Sequence, residues 1–144
     1  PGPIVDTSGT MLGRHKGLAF YTVGQRKGLD VFAPYPLYVV DIDLKNNRLA
    51  VGKRSEAFSG GCLVQDVNYV MEEPSGAVRG TCMVRYRGEE TGAVWTGDGI
   101  EMPEKANRAR VEFDSPKFAV TPGQALVLYH DQFVFSGGTI SKRL

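Results

Sequence analysis

Hydrophobic and polar residues alternate along most of this chain, in short runs that end at glycine, proline or asparagine. Successive side chains of a strand point to opposite faces, so this alternation predicts strands with one buried face. The runs are rich in Val, Ile, Tyr and Phe, which favour strands. Strands are predicted at 37–43, 48–53, 62–70, 78–87, 93–96, 108–113, 125–129 and 132–135. A single short helix is predicted near 17–23, where glycine and β-branched residues disfavour a longer one.

A glycine pair at Gly60 and Gly61 separates one predicted hairpin from a long series of strands. Flexible glycine-rich segments are typical of domain boundaries, so the stretch 57–61 is the predicted boundary. Residues 1–59 are expected to form a small mixed α/β module, with a short helix and a β-hairpin. Residues 60–144 are expected to form an antiparallel β-barrel or a sandwich, and we favour the barrel because closure removes exposed strand edges. The fold class predicted is mainly β.

The net charge of +1 hides an uneven distribution. Residues 1–60 hold eight Lys and Arg against five Asp and Glu, and residues 61–144 hold nine against eleven. Residues 10–29, here called the basic leader, contain four cations, four glycines and no acid. Unbalanced positive charge attracts polyanions, and glycines let backbone N–H groups approach a phosphate closely. The leader therefore predicts a nucleic-acid contact, and the alternative is an ordinary solvated basic loop.

The chain offers little catalytic chemistry. Cys62 and Cys82 lie in no C-x-x-C motif, so both are expected to be reduced and buried, in a cytoplasmic protein. His15 and His130 have no Cys or second His at zinc-ligand spacing, and His15 is expected to contact a partner or solvent. Nucleotide-binding glycine loops are absent, as is any apolar run long enough to cross a bilayer. No catalytic, metal-binding or cofactor-binding residue is predicted.

Two further segments carry groups that suit RNA. In the strand predicted at 78–87, alternation places Arg79, Arg85 and Arg87 on one face. Guanidinium groups bind phosphates, and the neighbouring Tyr86 offers a ring for stacking on a base. The alternative is a solvated face whose arginines pair with Glu89 and Glu90. Gln124 lies at a strand entrance after a Pro-Gly turn, where its amide can read a base or ribose, or hold a loop.

Six motifs occur together in a specific order: G-R-H-K-G-L at 13–18, Y-T-V-G-Q-R-K-G-L at 21–29, Y-V-V at 38–40, R-Y-R at 85–87, V-T-P-G-Q at 120–124 and G-G-T-I at 137–140. Together they closely resemble the bacterial and organellar tRNA-specific 2-thiouridylase family. The resemblance covers nearly the whole chain. It corresponds to the C-terminal part of that family, which consists of a small central domain and a terminal β-barrel.

The resemblance implies a role in tRNA modification. Members of the family use ATP to adenylate the C2 oxygen of the wobble uridine, position 34 of certain tRNAs, and replace it with sulfur from a cysteine persulfide. Their ATP loop and catalytic cysteines lie in an N-terminal domain without counterpart here, and the opening Pro-Gly-Pro is expected to belong to a fragment. The fragment is therefore expected to hold the tRNA anticodon stem-loop without being active alone. An older family name refers to methyl transfer, but nothing here resembles a methyl-donor site.

The resemblance also assigns residues. Arg85, Tyr86 and Gln124 match family contacts to tRNA. The central-domain signature is matched by a second group, for which a structural role is equally consistent: Arg14, His15, Lys16, Gln25, Arg26 and Lys27. Ser136 and Asp30 depart from the family, which usually has glycine at both positions. Two alternatives remain: a protein-interaction barrel that docks a sulfur-relay protein or another subunit, and an enzyme whose active site the sequence does not reveal.

Overall fold

The computed structural model of the protein describes residues 1–72, 74–84, 89–97 and 107–144. The chain divides into two compact units. The first unit comprises Pro1–Phe58 and Phe118–Val120, and the second unit comprises Ser59–Lys117 and Thr121–Leu144.

The first unit contains a four-stranded sheet in the order β2-β1-β4-β3. Its strands are β1 (Gly2–Val5), β2 (Met11–His15), β3 (Tyr38–Asp43) and β4 (Arg48–Gly52). The β1/β2 and β3/β4 pairs are antiparallel, whereas β1 and β4 run parallel. Two short 3-10 helices, Leu18–Phe20 and Arg54–Ala57, complete the regular structure described in this unit. The sheet is therefore mixed.

One face of this sheet packs against the long segment between β2 and β3. Strand residues in the core include Ile4, Val39 and Leu49, which have no exposed surface. The segment contributes buried Tyr21, Val23, Leu29 and Leu37 to the same core. The segment between the strands is held by tertiary burial rather than by helical structure. The helix predicted near 17–23 is accordingly limited to the single turn Leu18–Phe20.

Strands β1 and β2 were not predicted by the sequence pattern. Glycine and proline occupy half of β1, and β2 carries Arg14 and His15. The pairing of β1 with both β2 and β4 satisfies its backbone groups on both sides, which overrides weak local preferences.

The second unit is built around a closed barrel in the strand order β10-β5-β8-β7-β6-β9. Its strands are β5 (Phe58–Tyr69), β6 (Val78–Val84), β7 (Glu90–Gly97), β8 (Ala109–Phe118), β9 (Ala125–His130) and β10 (Phe133–Arg143). Antiparallel pairing joins β10 to β5 and β9, β6 to β7 and β9, and β7 to β8. The predicted fold class, an antiparallel β-barrel preceded by a small mixed module, is confirmed.

The barrel core follows the predicted alternation. In β8, Ala109, Val111 and Phe113 are buried while the residues between them are exposed. Trp95 of β7 is fully buried, and its indole N–H donates to the Tyr69 hydroxyl at 3.2 Å. Period-two alternation therefore sorts core from surface along these strands.

The chain passes from the first unit to the second between Phe58 and Ser59, within the predicted stretch 57–61. This stretch is not a flexible linker, because β5 begins at Phe58 and runs through both glycines. Gly61 permits close strand packing, since a Cβ there would overlap the Val111 carbonyl oxygen. Gly61 thus allows close backbone approach inside the sheet, whereas a Cβ at Gly60 would meet nothing within 4 Å.

The two departures from the family pattern differ in their local structure. Asp30 has φ of 52°, a conformation that glycine adopts most readily. Ser136 is fully buried in β10, and its hydroxyl finds no hydrogen-bond partner among the described residues. Within the described ranges, no helix has the length and apolar character needed to cross a membrane.

Candidate nucleic-acid interface

The basic leader presents its four cations to solvent. Arg14 lies on β2, and Lys16, Arg26 and Lys27 lie in the segment that follows. All four side chains are exposed. Across residues 1–72, 74–84, 89–97 and 107–144, no carboxylate lies within the 4.0 Å ion-pair distance of any of them. Their positive charge is therefore available to a polyanion.

Cations of the barrel are placed differently. Arg79 of β6 points outward as predicted, and its guanidinium Nη1 contacts both carboxylate oxygens of Asp114 at 3.0 and 2.8 Å. Arg110 pairs with Glu112 at 3.0 Å. The alternative for this face, in which its arginines form ion pairs, is supported for Arg79, but the partner is Asp114 of β8 and not Glu89 or Glu90.

Three predicted residues of the R-Y-R motif lie outside the described residues: Arg85, Tyr86 and Arg87. Strand β6 is described up to Val84, and its alternation holds that far, with Cys82 and Val84 buried and Arg79 exposed. The proposed roles of Arg85 and Tyr86 stay predictions.

His15 occupies the end of β2 and is buried, with 2% of its surface exposed. Its Nδ1 accepts the Gly17 backbone N–H at 3.1 Å, so the ring proton must lie on Nε2, which contacts the Asn47 carbonyl oxygen at 2.9 Å. The expectation that His15 contacts solvent or a partner does not fit this position. Its imidazole holds β2 against the β3–β4 turn.

Gln25 closes a tight turn in the first unit. The Gln25 backbone N–H donates to the Thr22 carbonyl at 3.0 Å, and Gly24 has φ of 91°, as type II turns require. The Gln25 side chain then uses both ends of its amide. Oε1 accepts the Thr22 backbone N–H at 3.1 Å, and Nε2 donates to the Lys27 carbonyl at 2.9 Å. The structural alternative for Gln25 is thereby favoured.

Gln124 closes a turn of the same kind in the second unit. Its backbone N–H donates to the Thr121 carbonyl at 3.2 Å, and Gly123 has φ of 93°. Its Oε1 accepts the Thr121 backbone N–H at 3.0 Å. This turn makes no use of the two Nε2 protons, and the side chain is half-buried. Gln124 thus combines a structural acceptor with a donor group beside the surface.

Aromatic and cationic side chains also meet in places that the sequence analysis missed. In the first unit, the Arg54 guanidinium lies 4.7 Å from the Phe118 ring centroid and 5.2 Å from that of Phe58. Lys53 lies over the Tyr35 ring at 5.1 Å. These residues are far apart in sequence or sit in irregular segments, so periodicity gave no signal for them.

The two cysteines match their prediction. Both are free, fully buried thiols of the barrel. Burial raises the pKa of Cys62 to about 12 and that of Cys82 to about 11. Thiolates are the reactive form, so neither residue is suited to act as a nucleophile or a sulfur carrier.

Comparison with known proteins assigns both parts of the chain. A family model described as a tRNA methyl transferase PRC-barrel domain matches residues 1–53, and one described as an aminomethyltransferase beta-barrel domain matches residues 59–140. A protein of Trichormus variabilis is 44% identical over 98% of this chain, and one of Moorella thermoacetica is 44% identical over 97%. A protein of Natranaerobius thermophilus is 40% identical over 99% of the chain.

All three relatives carry the name tRNA-specific 2-thiouridylase MnmA, and the chain spans 37–39% of their length. The two matched regions follow each other along the chain as the leader-bearing sheet and the barrel do. This chain belongs to the tRNA-specific 2-thiouridylase family.

Proposed function

We propose that this chain is the tRNA-binding portion of an ATP-dependent tRNA 2-thiouridylase, which installs sulfur at C2 of the wobble uridine. The observation that carries the proposal is the basic leader, whose four exposed cations have no carboxylate neighbour in the described parts of the chain. Phosphate contacts of this kind supply affinity for RNA without reading its sequence. The expected target is the anticodon stem-loop in the cytoplasm.

Positioning of the base requires other groups. The Nε2 donor of Gln124 is suited to a base edge or ribose hydroxyl, because the turn occupies only the amide oxygen. Arg85 and Tyr86 are proposed to add a phosphate contact and a stacking surface. ATP binding, adenylation and sulfur transfer are assigned to a separate catalytic domain of the complete enzyme, which receives its persulfide from a sulfur-relay protein.

A salt titration tests this proposal. Binding of an unmodified tRNA transcript with uridine at position 34 is measured by filter binding between about 50 and 200 mM salt. The slope of log affinity against log salt falls by about one for each phosphate that the protein no longer neutralises. We expect Arg26→Ala to lower both affinity and slope. The matched control is Arg48→Ala in the same unit, because Arg48 is already paired with Asp43 at 3.3 Å and should leave the slope unchanged.

Equal effects of the two variants, or no binding by the unmodified chain at the lowest salt concentration, would refute the proposal. Incubation with ATP and tRNA should yield no adenylated RNA, and turnover by this chain alone would contradict the assignment of catalysis elsewhere. If an acidic or neutral sulfur-relay protein bound the barrel while tRNA did not, the protein-docking alternative would replace the proposal.

A further inference from the structure

The loop formed by residues 30–37, between the basic leader and β3, carries the most exposed aromatic residue described in the chain. Phe32 is 92% exposed and Tyr35 is 45% exposed. A free phenyl ring in water is unfavourable, and exposed aromatics next to polar groups mark interaction sites. The loop is not simply a loose segment, because Leu29 and Leu37 at its two ends are buried in the core of the first unit.

The loop is also fixed against the leader. Gly13 of β2 provides the space for it, since a Cβ at Gly13 would lie 2.8 Å from Cγ1 of Val31. Packing of Val31 on β2 therefore sets where the next residue, Phe32, emerges. The aromatic ring is thus presented beside the strand that carries Arg14.

Two clefts adjoin the loop, and Phe32 and Tyr35 line both of them. The first has a volume of about 260 Å³ and is bordered by Arg26 of the basic leader. The second has a volume of about 230 Å³ and is bordered by Lys53, whose ammonium lies 5.1 Å from the Tyr35 ring centroid. Each cleft therefore combines an aromatic surface with a cation.

The acids that line the second cleft are engaged within the chain. The Asp6 carboxylate accepts bonds from Ser8 and Thr10, and Glu56 accepts the Lys53 backbone N–H at 3.0 Å. Asp30 lines the first cleft and can accept a base N–H. Aromatic rings flanked by cations suit a nucleotide, whose base stacks while its phosphate meets the cation.

We propose that Phe32 and Tyr35 form a stacking site for an unpaired nucleotide of the RNA, with Arg26 contacting its phosphate. This inference rests on the proposed function and adds to it a base-binding site in the first unit. An apolar docking surface for another polypeptide is the competing occupant. The cations at both clefts favour RNA, because an apolar partner would remove water from these charges without supplying an anion to pair with them.

The test compares Phe32→Ala with Phe32→Trp, using oligouridine, the tRNA transcript and inorganic polyphosphate as probes. Loss of one stacked base is expected to weaken RNA binding about five-fold or more. The salt slope should not change, because stacking involves no counterion release. Polyphosphate has no bases, so its binding should be insensitive to Phe32→Ala. Since Phe32 is almost fully exposed, neither variant should disturb folding.

Phe32→Trp should retain RNA affinity and give a direct signal. Trp95, the single native tryptophan, is fully buried, so a fluorescence change on adding oligouridine would report stacking at position 32. Phe133→Ala is the matched control, since Phe133 is a 65% exposed ring on the barrel and borders neither cleft.

The outcomes separate this inference from the proposed function. If the unmodified chain binds tRNA with a normal salt slope and Phe32→Ala binds it equally well, the stacking site is refuted and the proposed function stands. Absence of tRNA binding by the unmodified chain refutes both. If Phe32→Ala abolishes self-association in sedimentation experiments while RNA affinity is unchanged, the loop is a protein-docking surface and the inference is wrong.

Discussion

The first and second units contain the same four-residue turn, Thr22–Gln25 in one and Thr121–Gln124 in the other. Each has glycine at positive φ, and each glutamine Oε1 accepts the N–H of the threonine three residues earlier. Both turns also exchange two backbone hydrogen bonds with one buried strand residue, Val39 or Ile140, all at 2.8 Å. Val39 and Ile140 also lie at similar positions in their strands, because the pairing register of each strand shifts directly after that residue.

The turns differ in what remains of the glutamine amide. In the first unit the Lys27 carbonyl accepts a bond from Gln25 Nε2, so the whole amide is structural. In the second unit the turn uses only the oxygen of Gln124. The same T-x-G-Q sequence therefore determines a local conformation, and its surroundings decide whether a donor is left for a ligand. This comparison can be tested at the glycines, at the glutamines and at a pair of buried serines.

The largest difference is expected at the turn glycines. A Cβ at Gly24 would lie 2.6 Å from the Ala119 Cβ, whereas a Cβ at Gly123 would meet nothing within 4 Å. Gly123→Ala should cost about 1 kcal/mol of unfolding free energy from positive-φ strain alone. Gly24→Ala adds a steric clash and should cost about 3 kcal/mol. Urea unfolding followed by circular dichroism measures both, and equal losses would mean that the surroundings of the two turns do not differ as described.

The next difference is expected at the glutamines, where glutamate keeps the acceptor oxygen and removes the amide N–H donors. Gln25→Glu loses its bond to the Lys27 carbonyl and places a negative charge there, so it should cost about 2 kcal/mol in stability. Gln124→Glu keeps its turn and should lose less than about 0.5 kcal/mol. Filter binding should show weaker tRNA affinity for Gln124→Glu. A stability loss at Gln124 as large as that at Gln25 would show that its amide is also fully structural.

The smallest effects are expected at two buried serines of the barrel. Ser59 Oγ lies 2.6 Å from the carbonyl oxygens of Gly61 and Leu144, so Ser59→Ala should lower the unfolding free energy by about 1 kcal/mol. Ser136 has an unsatisfied hydroxyl among the described residues, so Ser136→Ala should raise the unfolding free energy by up to about 1 kcal/mol. Thermal or urea unfolding compares the pair, and destabilisation by Ser136→Ala would indicate a partner for that hydroxyl.

Much of the barrel was predictable because its strands bury one face. Alternation placed Cys82 and Val84 inside and Arg79 outside, as the structure shows. The same reasoning missed β1, because half of its residues are glycine or proline. This strand is stabilised by pairing with both β2 and β4. It also predicted a flexible linker at Gly60 and Gly61, which both lie in β5, because composition alone cannot distinguish a flexible segment from glycines within a strand.

The candidate site residues also divide into those whose positions the sequence predicted and those whose positions it did not predict. Exposure of Arg14, Lys16, Arg26 and Lys27 follows from their charge, and the sequence indicated it. The burial of His15 did not follow, because its two bonds go to Asn47, far away in sequence, and to Gly17. Phe32 and Tyr35 gave no periodic signal, and only the packing of Val31 on Gly13 presents them next to the leader.

The sequence by itself determined the strand-rich fold class, the Pro-Gly turn before Gln124, the surplus of cations in the leader and the family. These depend on residue type and short spacing, which act through local backbone preference, burial and charge. Tertiary structure decided which polar groups are bonded within the protein and which remain available to a ligand. The Gln25 amide and the His15 ring are satisfied by distant or neighbouring backbone groups, and hydrogen-bond partners of that kind exist only once the chain has folded.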